Sequence, residues 1–315
     1  MPRTLSIGGA TYDLFVATPG VPVEDGKMLL PLGGKIRTGQ VIETIGGGAA
    51  NTSVGLSRLG CDAAFCGVIG SDQWGERICE ALKKEKVNTD AVTIVEGETT
   101  SFSIILSAGG ERVILYEPGT NAHLHDATFD RAAVRNVDWV YLNHLTEEAC
   151  EITDDLVDAL KVEDGPGLTW NPGGCQIGQG MHHEGNRELL IHTDLILLNK
   201  EEALAFTKTG DIENALAALI KGGAGTACIT DGSRGATATD GRETAHCPIM
   251  NTPVVDSTGA GDAFGTAMTW AILSGLPLRK TLQAGTINAA SVISVIGAQP
   301  GLLTHTSLRK QIESL

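Results

Sequence analysis

No stretch of 18 consecutive apolar residues occurs in the 315-residue chain, so no membrane-spanning helix is expected. Positive charge is scarce as well: 23 Lys and Arg stand against 38 Asp and Glu, a formal net charge of −15. That balance opposes non-specific attraction to nucleic acid or anionic lipid, and neither partner is expected. An anionic ligand must then be met by local groups. The seven cysteines, Cys61, Cys66, Cys79, Cys150, Cys175, Cys228 and Cys247, are odd in number and form no C-x-x-C pair, so free, mostly core thiols are expected rather than disulfides. The apolar part of residues 1–9 is too short for a secretory leader, and a cytoplasmic protein is expected. Also missing are a G-K-[ST] phosphate loop and a zinc-binding H-E-x-x-H. His182-His183-Glu184 does not set two imidazoles on one helix face and reads as a solvated loop. No repeat, charged run or composition break divides the chain, so one large domain with a small appendage is expected.

Most informative of what is present is Val255-Asp256-Ser257-Thr258-Gly259-Ala260-Gly261-Asp262-Ala263-Phe264-Gly265. Small residues lead into Ala263, Phe264, Ala267, Met268, Trp270 and Ala271 at helical spacing, so a loop opens a helix here. Gly259 and Gly261 carry no Cβ, which lets backbone N–H groups approach an anion at the positive end of the helix dipole. On its own, Asp262 is ordinary first-turn chemistry. Beside an anion cradle it suits phosphoryl transfer, the amides holding phosphate while the carboxylate takes the proton of an attacking hydroxyl.

Elsewhere, apolar runs at 5–7, 61–69, 137–142, 167–170, 195–198 and 226–230 read as strands, and 72–84, 146–160 and the residues after Asn199 as helices. That alternation predicts parallel α/β layers. Short strands at 242–247 and 253–255 precede the central motif, and helices at 281–295 and 307–313 follow it. Residues 17–45, rich in Gly and Pro, and a hairpin pattern at 101–106 and 112–116 predict a small separate sheet. Three successive glycines in Gly46-Gly47-Gly48-Ala49-Ala50-Asn51 imply close approach of another group to the backbone as a helix opens. Asp13 and Asn121 read as turn residues on local grounds. Asn143 ends a buried strand, where open α/β sheets bind ligands.

Asp256 to Asp262 resembles D-T-x-G-A-G-D, the C-terminal signature of the ribokinase-like, or PfkB, carbohydrate kinases, with Ser257 in place of the commoner Thr. Gly46 to Asn51 is similar to the family's G-G-x-x-x-N, Asn199-Lys200-Glu201-Glu202 to its N-x-x-E, and Thr230 to Gly235 to its T-x-G-x-x-G. The four motifs stand in the family's order, and the resemblance covers nearly the whole chain. It implies an α/β fold, a ribokinase-like three-layer αβα sandwich with a mainly parallel central sheet and a small β-sheet lid. The main domain would be residues 1–16, 46–97 and 118–315, and the lid 17–45 and 98–117. The implied activity is ATP-dependent phosphorylation of a primary hydroxyl on a small sugar, with Asp262 as base and Gly259, Ala260 and Gly261 as anion hole. Implied acceptor contacts are Asp13, Gly46, Gly47, Asn51, Asn121 and Asn143. Asn199, Thr230, Gly232, Ser233, Gly235, Thr286 and Asn288 are the implied nucleotide contacts. Glu202 would organise Mg²⁺ through water, and Asp256, Gly297 and Gly301 would hold a monovalent cation, K⁺. The lid would exclude water and offer a surface for a homodimer. Gly48 stands where ribokinases proper often carry Lys, and Asn143 where they tend to carry Glu. Both speak against ribose and leave room for a nucleoside acceptor. A non-catalytic sugar-binding regulator is the third reading, and the retained base and anion hole argue against it.

Overall fold

The computed structural model describes residues 1–109, 111–124, 131–145, 152–161 and 165–314. The chain opens with β1 (Arg3–Ile7) and β2 (Thr11–Ala17), a short ribbon of β3 (Val23–Glu24) and β4 (Lys27–Met28), and then β5 (Val41–Gly46). Next come α1 (Gly48–Arg58), β6 (Asp62–Gly70), α2 (Gln73–Lys84), β7 (Val92–Val95) and the hairpin β8 (Phe102–Ala108) and β9 (Glu111–Glu117). After α3 (Arg131–Arg135), strands alternate with helices: β10 (Trp139–Leu142), α4 (Ile152–Leu160), β11 (Gly167–Trp170), α5 (Gly174–Gln179), α6 (Glu184–Ile191), β12 (Leu195–Asn199), α7 (Lys200–Thr207), α8 (Ile212–Lys221) and β13 (Thr226–Thr230). The last strands are β14 (Ala236–Thr239) and β15 (Thr244–Cys247), and the last helices α9 (Ala260–Leu273), α10 (Leu278–Val292) and α11 (His305–Glu313).

Nine strands form one sheet in the order β15-β14-β13-β12-β11-β10-β1-β6-β7. Every neighbouring pair from β13 to β7 is parallel, and only the pairings of β14 with β13 and with β15, at one edge, are antiparallel. Helices cover both faces, which is why β10 (WVYL) and β12 (LILLN) are almost unbroken apolar runs instead of alternating ones. Leu156, Leu189, Phe206 and Leu216 pack α4, α6, α7 and α8 on one face. On the other face, Val54, Ile78, Ala263 and Leu282 bring in α1, α2, α9 and α10. The αβα sandwich is as expected.

The small sheet has the order β5-β2-β8-β9, with β2 antiparallel to β5 and parallel to β8. Its membership corrects the expected boundary, because residues 11–16 lie at the centre of this sheet and not in the main body. Gly8, with φ 140°, breaks the chain after β1 and lets a new strand begin. Between β2 and β5 only the two-residue strands β3 and β4 pair, since Pro19, Pro22 and Pro31 withdraw ladder donors. Residues 253–255 also form no strand. The N–H groups of Val255 and Asp256 instead donate to the Ile293 carbonyl (2.8 and 3.2 Å), closing the C-terminal end of α10.

Cys61, Cys79, Cys228 and Cys247 are free, but Cys175 is disulfide-bonded, against the expectation of free thiols. It sits half-buried in the short surface helix α5, not in the core, so core burial does not protect it. Cys150, the hairpin tip Gly110 and residues 146–151 of the expected helix lie outside the described residues. Among the described residues, no helix is long and apolar enough to cross a membrane.

One carboxylate ties the small sheet to the large body. Asp72 caps α2, accepting from the N–H groups of Trp74 (3.2 Å) and Gly75 (2.9 Å), and also accepts from Thr100 N (2.9 Å) and Thr100 Oγ1 (2.6 Å), just before β8. Burial pushes its carboxyl up, yet the donors from Thr100, Gly75 and Trp74 prevail and hold it below its ordinary value. A depressed carboxyl stabilises the fold above its unfolded pKa and loses that effect as pH falls through the folded one. Asp72→Ala is therefore expected to lower unfolding stability by about 2 kcal/mol at pH 7, measured by urea denaturation, with the difference shrinking below pH ~4.

Candidate active site

Helices α1 and α9 approach closely because Gly55 faces Thr266: a Cβ at Gly55 would lie 2.6 Å from Thr266 Cγ2. One turn nearer the N-terminus of each helix, that approach brings Asn51 Nδ2 to Asp262 Oδ2 at 2.8 Å. Asn51 Oδ1 accepts from Gln299 Nε2 at 3.2 Å, which fixes the amide's orientation. Burial pushes the Asp262 carboxyl above its ordinary value, against the Asn51 hydrogen bond and nearby His144. A raised carboxylate is a better proton acceptor at neutral pH. Among the described residues the Tyr141 hydroxyl, buried nearby against Gly265, has no hydrogen-bond partner, and burial and Asp262 push its pKa well up.

Gly259 caps α9 in the left-handed region, φ 74°. A Cβ at Gly261 would meet nothing within 4 Å, so the backbone there faces open space. Two cavities meet at this turn, sharing Thr230, Ala260, Gly261 and Phe264. The polar one, ≈ 350 Å³, holds Asp262, His144, Asn171, Asn199 and Glu202 at the C-terminal ends of parallel strands. The other, ≈ 360 Å³, is an apolar slot between Gly232, Ser233 and Gly235 on one side and Thr286, Ala289 and Ile293 on the other. Gly261 borders both cavities.

Asn199 caps α7 and closes a box with Glu202: Glu202 N donates to Asn199 Oδ1 (2.9 Å) and Asn199 N to Glu202 Oε2 (2.8 Å). The box leaves Glu202 Oε1 outside it. No cluster of three or more His, Cys, Asp or Glu converges among the described residues, so a cation beside Glu202 would keep mostly water ligands. Magnesium fits that donor set.

Asp13 lies in β2, 7% exposed, with the Ser103 hydroxyl donating to it. Burial, opposed by that hydrogen bond and assisted by the charge of Asp256, raises its pKa from 3.8 to about 6. Gly46 packs against its carboxylate, and Gly47, at φ 88°, packs on Ala10, where a Cβ would lie 2.6 Å from Ala10 Cα. Asn121 is buried against Gly9, with Nδ2 3.5 Å from Thr11 Oγ1. Asn143 Nδ2 donates to Thr52 Oγ1 (3.1 Å) and Ile7 O (3.3 Å), while its Oδ1 is buried facing Gly48 with no donor among the described residues.

Two expected placements are corrected. Asn288 does not edge the apolar slot: it is fully buried, donating to Ala263 O (2.7 Å) and accepting from Leu303 N (3.0 Å), a strut between α9 and the segment before α11. Asp256, Gly297 and Gly301 do not form an oxygen cage for a monovalent cation. Asp256 Oδ1 accepts from Arg112, Thr258 N (3.0 Å) and Thr258 Oγ1 (2.7 Å), and Oδ2 accepts from Gly297 N (3.0 Å). The Gly301 carbonyl accepts from Ser291 Oγ at 2.7 Å. Both carboxylate oxygens thus face N–H and O–H donors. Sequence reasoning did not single out His144, Asn171, Ser103, Tyr141 or Arg112. The strand-end rule that found Asn143 also covers His144 and Asn171, whereas nothing local marks an arginine in a hairpin.

The sequence of residues 1–305 matches the model of the pfkB family carbohydrate kinases. An uncharacterized sugar kinase of Archaeoglobus fulgidus is 30% identical over 251 residues, 79% of this chain and 98% of that one. The ribokinase of Bacillus subtilis is 27% identical over 312 residues, 98% of this chain and 97% of its own. Among solved structures, Arabidopsis thaliana ribokinase complexed with ribose and ATP superposes with a TM-score of 0.80 at 25% identity, covering 99% of both chains. With the fold, the four motifs in order and a family match over almost its full length, the chain belongs to the pfkB family of carbohydrate kinases, phosphotransferases that use ATP.

Proposed function

We propose that the protein transfers the γ-phosphoryl group of ATP to a primary hydroxyl of a small sugar or nucleoside, with Asp262 as general base. The observation that carries this reading is the position of Asp262 one residue beyond an open glycine amide, where an apolar slot and a polar basin meet. The nucleotide base lies in the slot between Gly232 to Gly235 and Thr286. The phosphates run to the amides of residues 259 to 261, which meet the charge developing on the transferring group. Asp262 takes the hydroxyl proton as the acceptor oxygen bonds to phosphorus and the bond to the leaving ADP oxygen breaks. Bound near Glu202, Mg²⁺ would neutralise phosphate charge. Asp13, Gly46, Gly47 and Asn51 hold the acceptor's hydroxyls, and the buried Asn143 Oδ1 is an acceptor atom in want of a donor.

A helix-start carboxylate and a base make opposite demands on Asp262→Asn. The substitution keeps size and a hydrogen-bonding oxygen, so the melting temperature should stay native and nucleotide Kd near the wild-type value, while kcat falls roughly 10²–10⁴-fold. A kcat loss under about tenfold would sink the assignment. Gly261→Val should fold normally, since the new side chain points into open space, and should block turnover by filling the phosphate's place.

Asp13 carries a pH signature. Its raised pKa means that the native state binds more protons than the unfolded chain between pH 3.8 and about 6, so ionising it costs stability as pH rises through that window. Asp13→Asn is therefore expected to be more stable than wild type above pH 6, on the order of 2 kcal/mol by denaturant titration, yet to bind acceptor poorly. In the wild type, kcat/KM for the acceptor should fall below pH about 6 as Asp13 protonates. A destabilised Asp13→Asn protein with normal acceptor affinity would give Asp13 a structural role instead. A panel of sugars and nucleosides assayed by ADP release identifies the acceptor.

A further inference from the structure

Arg112 lies in β9, the outer strand of the small sheet, every residue of which is exposed. Its guanidinium nevertheless reaches across to the large body. Nη1 bonds Asp256 Oδ1 and Thr258 Oγ1 (3.1 Å), and Nη2 bonds Ser257 Oγ (3.2 Å). These three residues immediately precede the Gly259-Ala260-Gly261 turn. Asp256 is only 7% exposed, and a buried carboxylate without a counter-charge is strongly disfavoured. The need is sharper here, because the charge of Asp256 is felt at Asp13, and the chain carries a net charge of −15. Arg112 is the cation bonded to Asp256; the remaining donors to its oxygens, from Thr258 and Gly297, are neutral.

We propose that Arg112 is a positioning residue which, when the lid is closed, supplies the positive charge that Asp256 requires, so that closing the lid and fixing the anion-hole turn are one event and no monovalent cation is needed at Asp256. This rests on the phosphoryl-transfer reading of the site. With the lid lifted, Asp256 and the 256–258 loop lose their three lid contacts, and the amides of 259–261 lose their fixed aim. The anion hole is then assembled only under a closed lid, which disfavours transfer to water. As Arg112 touches the loop and not the reacting atoms, its loss should act on kcat more than on nucleotide affinity.

The test compares wild type, Arg112→Met and Arg112→Lys, with K⁺ or with tetramethylammonium as the only monovalent cation. For wild type, kcat should be equal within about twofold in the two buffers. Arg112→Met should lose roughly 10–100-fold in kcat in tetramethylammonium, with nucleotide Kd unchanged, and should recover part of it with millimolar methylguanidinium. Arg112→Lys, keeping the charge, should lie between the two. Independently of turnover, amide hydrogen exchange in residues 256–261 of the ligand-free protein should be faster in Arg112→Met than in wild type. Wild-type exchange there together with wild-type kcat in Arg112→Met would overturn the proposal, as would a wild-type enzyme that stops when K⁺ is replaced. If wild type phosphorylates no acceptor, the kinase reading fails by itself, and the exchange comparison still decides whether Arg112 orders the turn.

Discussion

Everything at the site depends on how closely α1 can approach α9. A helix carrying a side chain at position 55 would be held off by Thr266, and the amide of Asn51, one turn away, would no longer reach Asp262. The two helices are small-residue helices for that reason: Ala49, Ala50, Ala263 and Ala267 are all fully buried. Close packing of this kind is rigid, and rigidity is what the proposed base and anion hole would require of each other. Thr266 adds to it by donating to the Asp262 carbonyl at 2.6 Å, within the first turn of α9.

The second constraint is electrostatic. A chain with a net charge of −15 proposed to handle polyphosphate cannot rely on a general positive field, and the described geometry shows local devices in its place. Backbone N–H groups at a glycine turn carry no counter-charge of their own and need no desolvated lysine. Carboxylates around the turn are each given a specific donor set: Asn51 for Asp262, Ser103 for Asp13, and Arg112, Thr258 and Gly297 for Asp256. The outcomes differ. Asp13 and Asp262 are left with raised pKa values, while donors outweigh burial at Asp256 and hold it low. The groups proposed to exchange protons or hydroxyl contacts are thus separated from one that anchors a loop.

Much of this was legible in the chain itself where the signal is periodic or local. Buried parallel strands announce themselves as apolar runs, and the loop-to-helix change at Gly259 was visible in the order of residues. What stayed hidden depends on partners distant in sequence. Residues 253–255 look like a strand, and only the waiting carbonyl of Ile293 makes them a helix closure. Asn288 follows the slot-lining Thr286 by only two residues, about half a turn, and so turns inward to Ala263 and Leu303. The Arg112 to Asp256 pair spans 144 positions, and no spacing rule links a hairpin arginine to a loop that far away. The boundary at residue 11 was missed because β2 follows β1 after three residues, and sequence adjacency argued for one sheet.

The contact between Gly55 and Thr266 bears on how such a sequence can drift. A methyl group gained at 55 is tolerated only after bulk is lost at 266, so one order of substitution is open and the reverse order passes through an inactive protein. Two positions 211 residues apart, Asn51 and Asp262, are guarded by two others that never meet a ligand. Among descendants of this chain, the pair 55 and 266 should covary in size, and the trace of the distance between Asn51 and Asp262 would be kept in residues that take no part in it.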